Sequence, residues 1–182
     1  MIILKIGGSI LTNKDSKTSE VDDISLKRIA SEIKASLDCS PKQLIIVHGA
    51  GSFGHPPAKK HKIGEKFDES QYGEKRLGFC EIQNEVKKLN MFICEAFISE
   101  GIPAIAVPAS GFITATDKRI TSGNLDLFKK YLNKGFVPVL TTNGTRLKNS
   151  EKVLDALPYK IQISLHSFEG NARTMPEQYI SE

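Results

Sequence analysis

"IIVHGAGSFGHPPAKKH" (residues 45–61) passes from an apolar stretch through three glycines in six positions to a histidine and then a basic cluster. Ile45 to His48 read as the end of a buried strand, and Gly49, Gly51 and Gly54 free the backbone to turn and to approach a ligand closely. A second apolar run, "IILKI" (2–6), ends the same way in Gly7, Gly8 and Ser9. Backbone amides released where a strand ends, with a helix N-terminus following, make an anion site, most often for phosphate. Tight βα turns also need glycine, so a lone GGS carries little weight. Two such exits with Lys5, Lys14 and His55 nearby carry more. Neither loop fits the Walker pattern or the dinucleotide fingerprint.

Between and beyond these turns the pattern alternates. Leu26, Ile29, Ile33 and Leu37 recur at helical spacing over 22–38, with Asp22, Asp23 or Ser25 available as the cap. Phe79, Ile82, Val86, Leu89, Ile93 and Phe97 continue the same period for about five turns, and Gly101 follows as a C-cap. "IPAIAV" (102–107) reads as a third buried strand, and "NLDLFKKYLNKG" (124–135) as a helix capped by Asn124 and closed by Gly135. "FVPVL" (136–140) reads as a fourth strand. Strands alternating with helices predict an α/β fold with a mostly parallel sheet covered on both faces. Ligands of such sheets sit beyond the carboxyl ends of the strands, where both glycine turns fall.

The 182 residues suffice for one domain, and 40% apolar content supplies a core. A net charge of +4 without a long basic block disfavours nucleic acid as partner. Cys39, Cys80 and Cys94 are odd in number and lack metal-ligand spacing, so reduced thiols in a cytoplasmic protein, packed as small hydrophobes, are expected. Lys5 and two glycines break the first apolar run, and no membrane segment is expected. His48 reads as a hydrogen-bonding residue at a strand end. Lys59, Lys60, His61 and Lys62 read as a solvated face.

"LKIGGSILTNK" with "VHGAGSFGH" resembles the amino-acid kinase superfamily, and within it the isopentenyl phosphate kinase family. "GFCEIQNEVKKLN", "IPAIAVPASGF", "TDKRITSGNLD" and "GFVPVL" continue that resemblance in order, covering residues 1–140. It implies a three-layer αβα sheet fold, here truncated, and ATP-dependent phosphorylation of a small monophosphate, isopentenyl phosphate foremost. Lys5 would then neutralise the phosphoryl group in flight, assisted by Lys14. Gly7, Gly8 and Ser9, joined by Gly51, would cradle the nucleotide phosphates. Gly49, Ala50 and Gly54 would hold the acceptor phosphate, with His55 hydrogen-bonded to it, and an apolar acceptor pocket would lie around Phe79, Ile82, Val86 and Ile93. For each of those four, plain core packing is the stronger reading. Phosphoryl transfer needs positioning and charge stabilisation more than a covalent nucleophile, which suits this residue set. The cofactor implied is ATP with magnesium carried by the nucleotide phosphates, with no protein metal site. A homodimer is among the assemblies left open.

Relatives show glycine where Ala50 stands, and a glycine-aspartate pair where this chain has Thr142 and Asn143. Beyond residue 140 the segment with TNG (142–144) and "QISLHSFEG" (162–170) resembles an internal piece of radical SAM enzymes, without their cysteine cluster. Residues 1–140 are thus expected to be an acceptor-binding half and 141–182 a foreign or divergent strand–helix–strand tail. The nucleotide-binding half would be missing, transfer by this chain weak, and the fourth strand left with an unpaired edge. A non-catalytic phosphate-binding remnant and, more remotely, a radical SAM fragment are the competing functional readings.

Overall fold

The computed structural model describes residues 1–13, 19–63, 69–116, 119–141 and 162–165. Lys14, Asp117, Lys118, Thr142, Asn143 and most of the tail therefore lie outside the described residues. Strands β1 (Ile2–Ile6) and β2 (Leu44–His48) flank helices α1 (Gly8–Leu11) and α2 (Asp23–Cys39) in the chain. Next come α3 (Gly51–Lys60), the long α4 (Tyr72–Ser99) and β3 (Ala104–Ala106). A hairpin of β4 (Ile113–Thr116) and β5 (Arg119–Gly123), helix α5 (Leu125–Asn133), β6 (Val137–Thr141) and β7 (Gln162–Leu165) complete the order.

The main sheet runs β3-β6-β2-β1-β7 with every pairing parallel. Alternation along the strands sends Leu4, Ile6, Leu44, Ile46 and Val139 to one face, where Leu26 and Ile29 of α2 and Leu89, Ile93 and Phe97 of α4 close over them. Ile45 and Val47 point the other way, against Phe128 and Leu132 of α5. Helices on both faces of a parallel sheet make the three-layer αβα arrangement that strand–helix alternation demands. Among the described residues no helix is long and apolar enough to cross a membrane.

The α2 start is set by Asp22, whose carboxylate accepts from the Ser25 N–H at 2.9 Å and from the Ser25 hydroxyl at 2.8 Å. The bond from the Ser25 N–H, more than any other cause, holds the Asp22 carboxyl below its ordinary 3.8. Its stabilising effect is thus complete above about pH 4 and is lost as pH falls through the lowered folded value. Asp22→Ala should cost about 1 kcal/mol at neutral pH. Urea titrations of wild type and variant should converge on acidification; a constant gap would remove the cap as its cause.

Four points differ from expectation. The third strand shrinks to Ala104–Ala106 and is half-buried rather than buried, because it forms one edge of the sheet. The fourth strand, β6, has no unpaired edge: it lies between β3 and β2, and β7 from the tail extends the other side beside β1. The antiparallel β4–β5 hairpin was not foreseen, although the β-branched residues of ITAT and RITSG around a polar tip carry its signature. Cys94 packs as a small hydrophobe with its thiol pushed up to about 11 by burial, whereas Cys39 and Cys80 are exposed, contrary to expectation.

Candidate functional site

Because β1 and β2 pair in parallel with Ile6 opposite His48, both glycine turns leave the sheet at the same carboxyl edge. They touch. Gly49 N donates to Ile6 O at 3.0 Å, and a Cβ on Gly8 would lie against Gly51 N and 2.7 Å from Gly51 Cα. Gly51 itself has φ +51, the left-handed region where a side chain is strained. The turns are also tied by Thr12, which is buried: its hydroxyl donates to Gly8 O at 2.8 Å and accepts from Ser52 N at 3.0 Å. Thr12→Val keeps the shape and leaves the Ser52 N–H without that acceptor, so denaturant unfolding should show a loss of about 1–3 kcal/mol. A loss below about 0.3 kcal/mol would mean the tie is not a source of stability.

Residues 51–55 are the first turn and a half of α3, not a loop. Pro56 and Pro57 lie inside it; Pro56 has no N–H for Ser52 O, and the Ser19 hydroxyl donates to that carbonyl at 3.3 Å. The helix starts without a side-chain cap, at Ala50, whose φ −76 and ψ −20 suit alanine without strain. Of its first N–H groups, which have no partners within the helix, that of Ser52 is taken by Thr12, and the start at Ala50–Gly51 lies against the Gly7–Ser9 turn, an arrangement suited to an anion. His55 is exposed on this first part of α3. Further along, His61 departs from the solvated face expected of it: its ring packs on Gly78 and its Nε2 lies 2.7 Å from Glu81 Oε2.

A cleft of about 480 Å³ is walled by α4, by β3 and the chain following it, and by Thr141 at the end of β6. Phe79, Ile82 and Val86 line it together with Ala106, Pro108 and Thr141. Core packing was the expectation for these α4 residues; it holds for Ile93, which is fully buried, and not for Phe79, which is 51% exposed. The helix is longer than the core it covers, so its first half presents apolar side chains to the cleft.

Between cleft and turn sits His48, completely buried. Its Nδ1 is 3.0 Å from Gly49 O, and its Nε2 is 2.8 Å from Asn90 Nδ2 and 2.9 Å from Thr141 Oγ1. Burial drives its pKa down to about 4, the Gly49 carbonyl opposing weakly, so the ring is neutral at pH 7. The strand-end role expected of it is what the bonding shows.

Of the residues singled out in the sequence, Gly7, Gly8, Ser9, Gly49, Ala50, Gly51, Gly54 and His55 come together at one edge. Lys5 is half-buried on β1, on the face of Ile3 rather than that of His48. Lys14 falls outside the described residues. Thr12, Asn90 and Thr141 were missed. Asn90 had a signal, a lone amide at helical spacing between Val86 and Ile93; Thr12 had none, since its partners are 4 and 40 residues away.

The model of the amino acid kinase family matches residues 1–156. An isopentenyl phosphate kinase of Methanothermobacter thermautotrophicus is 48% identical over 141 residues, 77% of this chain and 52% of that protein. One from Methanocaldococcus jannaschii is 36% identical over 180 residues, 91% of this chain and 66% of the relative. The chain thus spans between about half and two thirds of these curated relatives' length. A crystal structure of an isopentenyl phosphate kinase superposes with a TM-score of 0.77 at 41% identity, over 88% of this chain and 70% of the other. Paired glycine turns at the carboxyl edge of a parallel sheet, with helices on both faces and this extent of matched sequence, establish that the chain belongs to the amino acid kinase family.

Proposed function

We propose that this chain binds a small phosphomonoester with a short branched apolar tail, isopentenyl phosphate being the best fit, for phosphorylation by ATP. The observation that carries this reading is the adjacency of an uncapped helix start at Ala50–Gly51 and an apolar cleft joined to it through His48. A phosphate suits the first and an alkenyl tail suits the second. The names of the relatives point to the same acceptor.

In this reading Gly49, whose own N–H is spent on Ile6 O, sets the course of the backbone, the amide of Ala50 and the imidazole of His55 hold the acceptor phosphate with Gly54 packed behind them, and Gly7, Gly8 and Ser9, with Gly51, serve the nucleotide. Lys5 and Lys14 offset negative charge on the group in transfer. ATP, with its magnesium held by its own phosphates, supplies the phosphoryl group. What the chain contributes is position: two anionic groups brought within reach of each other by two turns in backbone contact. Residues 1–140 serve as the acceptor-binding half, since the Gly49–His55 turn and, apart from Thr141, the lining of the cleft lie there.

Calorimetric titration of the chain with isopentenyl phosphate, isopentenol and inorganic phosphate tests this. The phosphomonoester should bind at least about tenfold more tightly than either fragment, since it alone fills both parts of the site. Equal affinity for inorganic phosphate would remove the cleft from the site. Formation of a diphosphate product with ATP then tells turnover from binding alone.

A further inference from the structure

We propose that His48 is a positioning residue, a neutral imidazole bonded on both sides that holds the glycine turn and the apolar cleft in one fixed relation. This rests on the reading above that turn and cleft are two parts of one acceptor site.

The donors and acceptors leave a single assignment. Gly49 O can only accept, so the proton of the ring is on Nδ1, which donates to it at 3.0 Å. Nε2 is then bare, and its one lone pair is shared between the Asn90 amide at 2.8 Å and the Thr141 hydroxyl at 2.9 Å. The remaining hydrogen of Asn90 Nδ2 goes to Val139 O at 3.2 Å, and Asn90 Oδ1 accepts from the Cys94 thiol at 3.8 Å, which fixes the orientation of the amide. Asn90 belongs to α4, Val139 and Thr141 to β6, and Gly49 begins the turn, so one ring ties three elements. Thr141 reaches it because His48 and Thr141 are register partners on adjacent parallel strands, with side chains on the same face.

Asn90 and Thr141 are themselves cleft-lining residues. The two groups that bond Nε2 therefore form part of the surface that would meet the apolar tail. The group that bonds Nδ1 is the carbonyl of the turn that would meet the phosphate. A ligand occupying both gains from their fixed separation, because its second contact costs no further ordering. Without the bare Nε2, the Asn90 and Thr141 donors lose their buried acceptor, and the wall moves independently of the turn.

Two substitutions separate the nitrogens. His48→Asn places an amide near Nδ1 and nothing at Nε2; His48→Gln can set an oxygen near Nε2. Thermal unfolding is measured for both, and affinity for isopentenyl phosphate and for inorganic phosphate by calorimetry. For His48→Asn the affinity for isopentenyl phosphate should fall about tenfold towards that for inorganic phosphate, while inorganic phosphate binding changes by less than about twofold. His48→Gln should recover most of the difference. Equal proportional losses for both ligands, or none for isopentenyl phosphate, would overturn the proposal, since a residue that only stabilises the fold does not act on the coupling between phosphate and tail. If His48→Asn does not fold, Thr141→Val removes one Nε2 donor and is read by the same ratio. Imidazole nitrogen resonances of the ligand-free wild type give a readout independent of any ligand. At neutral pH a protonated Nδ1 with a bare Nε2 supports the clamp, and a protonated Nε2 overturns it. Failure of the wild type to prefer isopentenyl phosphate over inorganic phosphate, with that nitrogen pattern intact, would instead count against the function proposed above.

Discussion

Gly8→Ala should lower affinity for isopentenyl phosphate and for inorganic phosphate at least about 100-fold, because it forces apart the two turns on which both depend. The added methyl would stand 2.7 Å from Gly51 Cα and 3.1 Å from Gly49 C, all backbone, which no rotamer change relieves. Moving that backbone means breaking the bond from Ser52 N to Thr12 or from Gly49 N to Ile6 O. The overpacking should also cost the fold about 1–3 kcal/mol, seen in denaturant titration. Gly73→Ala is the matched control: nothing lies within 4 Å of a Cβ there, and its helical position in α4 should gain up to about 1 kcal/mol. Phosphate binding by Gly8→Ala within tenfold of wild type would show that the contact between the turns plays no part in holding the anion.

His55→Ala should cost isopentenyl phosphate about 10–100-fold in affinity and leave the unfolding midpoint nearly unchanged. Its imidazole is exposed at the start of α3, so no packing is lost with it. A hydrogen bond to a charged group is worth about 1.5–3 kcal/mol, which sets the expected factor. Isopentenol, which has no phosphate, should bind the variant as it binds wild type. Affinity for ATP should change by less than about threefold, since the nucleotide is assigned to Gly7, Gly8 and Ser9 across the backbone contact. A parallel loss of ATP binding would contradict the division of the two turns between donor and acceptor.

Much of this arrangement was legible before any coordinates. The period of Leu26 to Leu37 and of Leu89 to Phe97 marked α2 and the core half of α4, because burial on one helical face is a local demand with a local pattern. Gly101 and Gly135, at φ +77 and +78, marked where α4 and α5 stop for the same local reason. The first half of α4 misled: Phe79, Ile82 and Val86 have the spacing of core residues, and only the position of β3 and the chain after it decides that they face a cleft. Glycines likewise suggested a loop at 49–55, although α3 begins at Gly51.

By itself the sequence determined the αβα layering, the strand exits that carry the two glycine turns, and membership of a kinase family through those turns. These depend on periodicity, backbone freedom and short spacings, which act within about ten residues. Only the tertiary structure decided that β6 lies inside the sheet, that Gly8 meets Gly51, that Thr12 bonds Ser52, and that His48 joins Asn90 and Thr141. Those contacts link residues 40 to 93 positions apart. Parallel pairing of β1, β2 and β6 sets His48 and Thr141 in register and brings both turns to one edge, and the packing of α4 on that sheet brings Asn90 to the ring, relations that the local pattern of the chain does not encode.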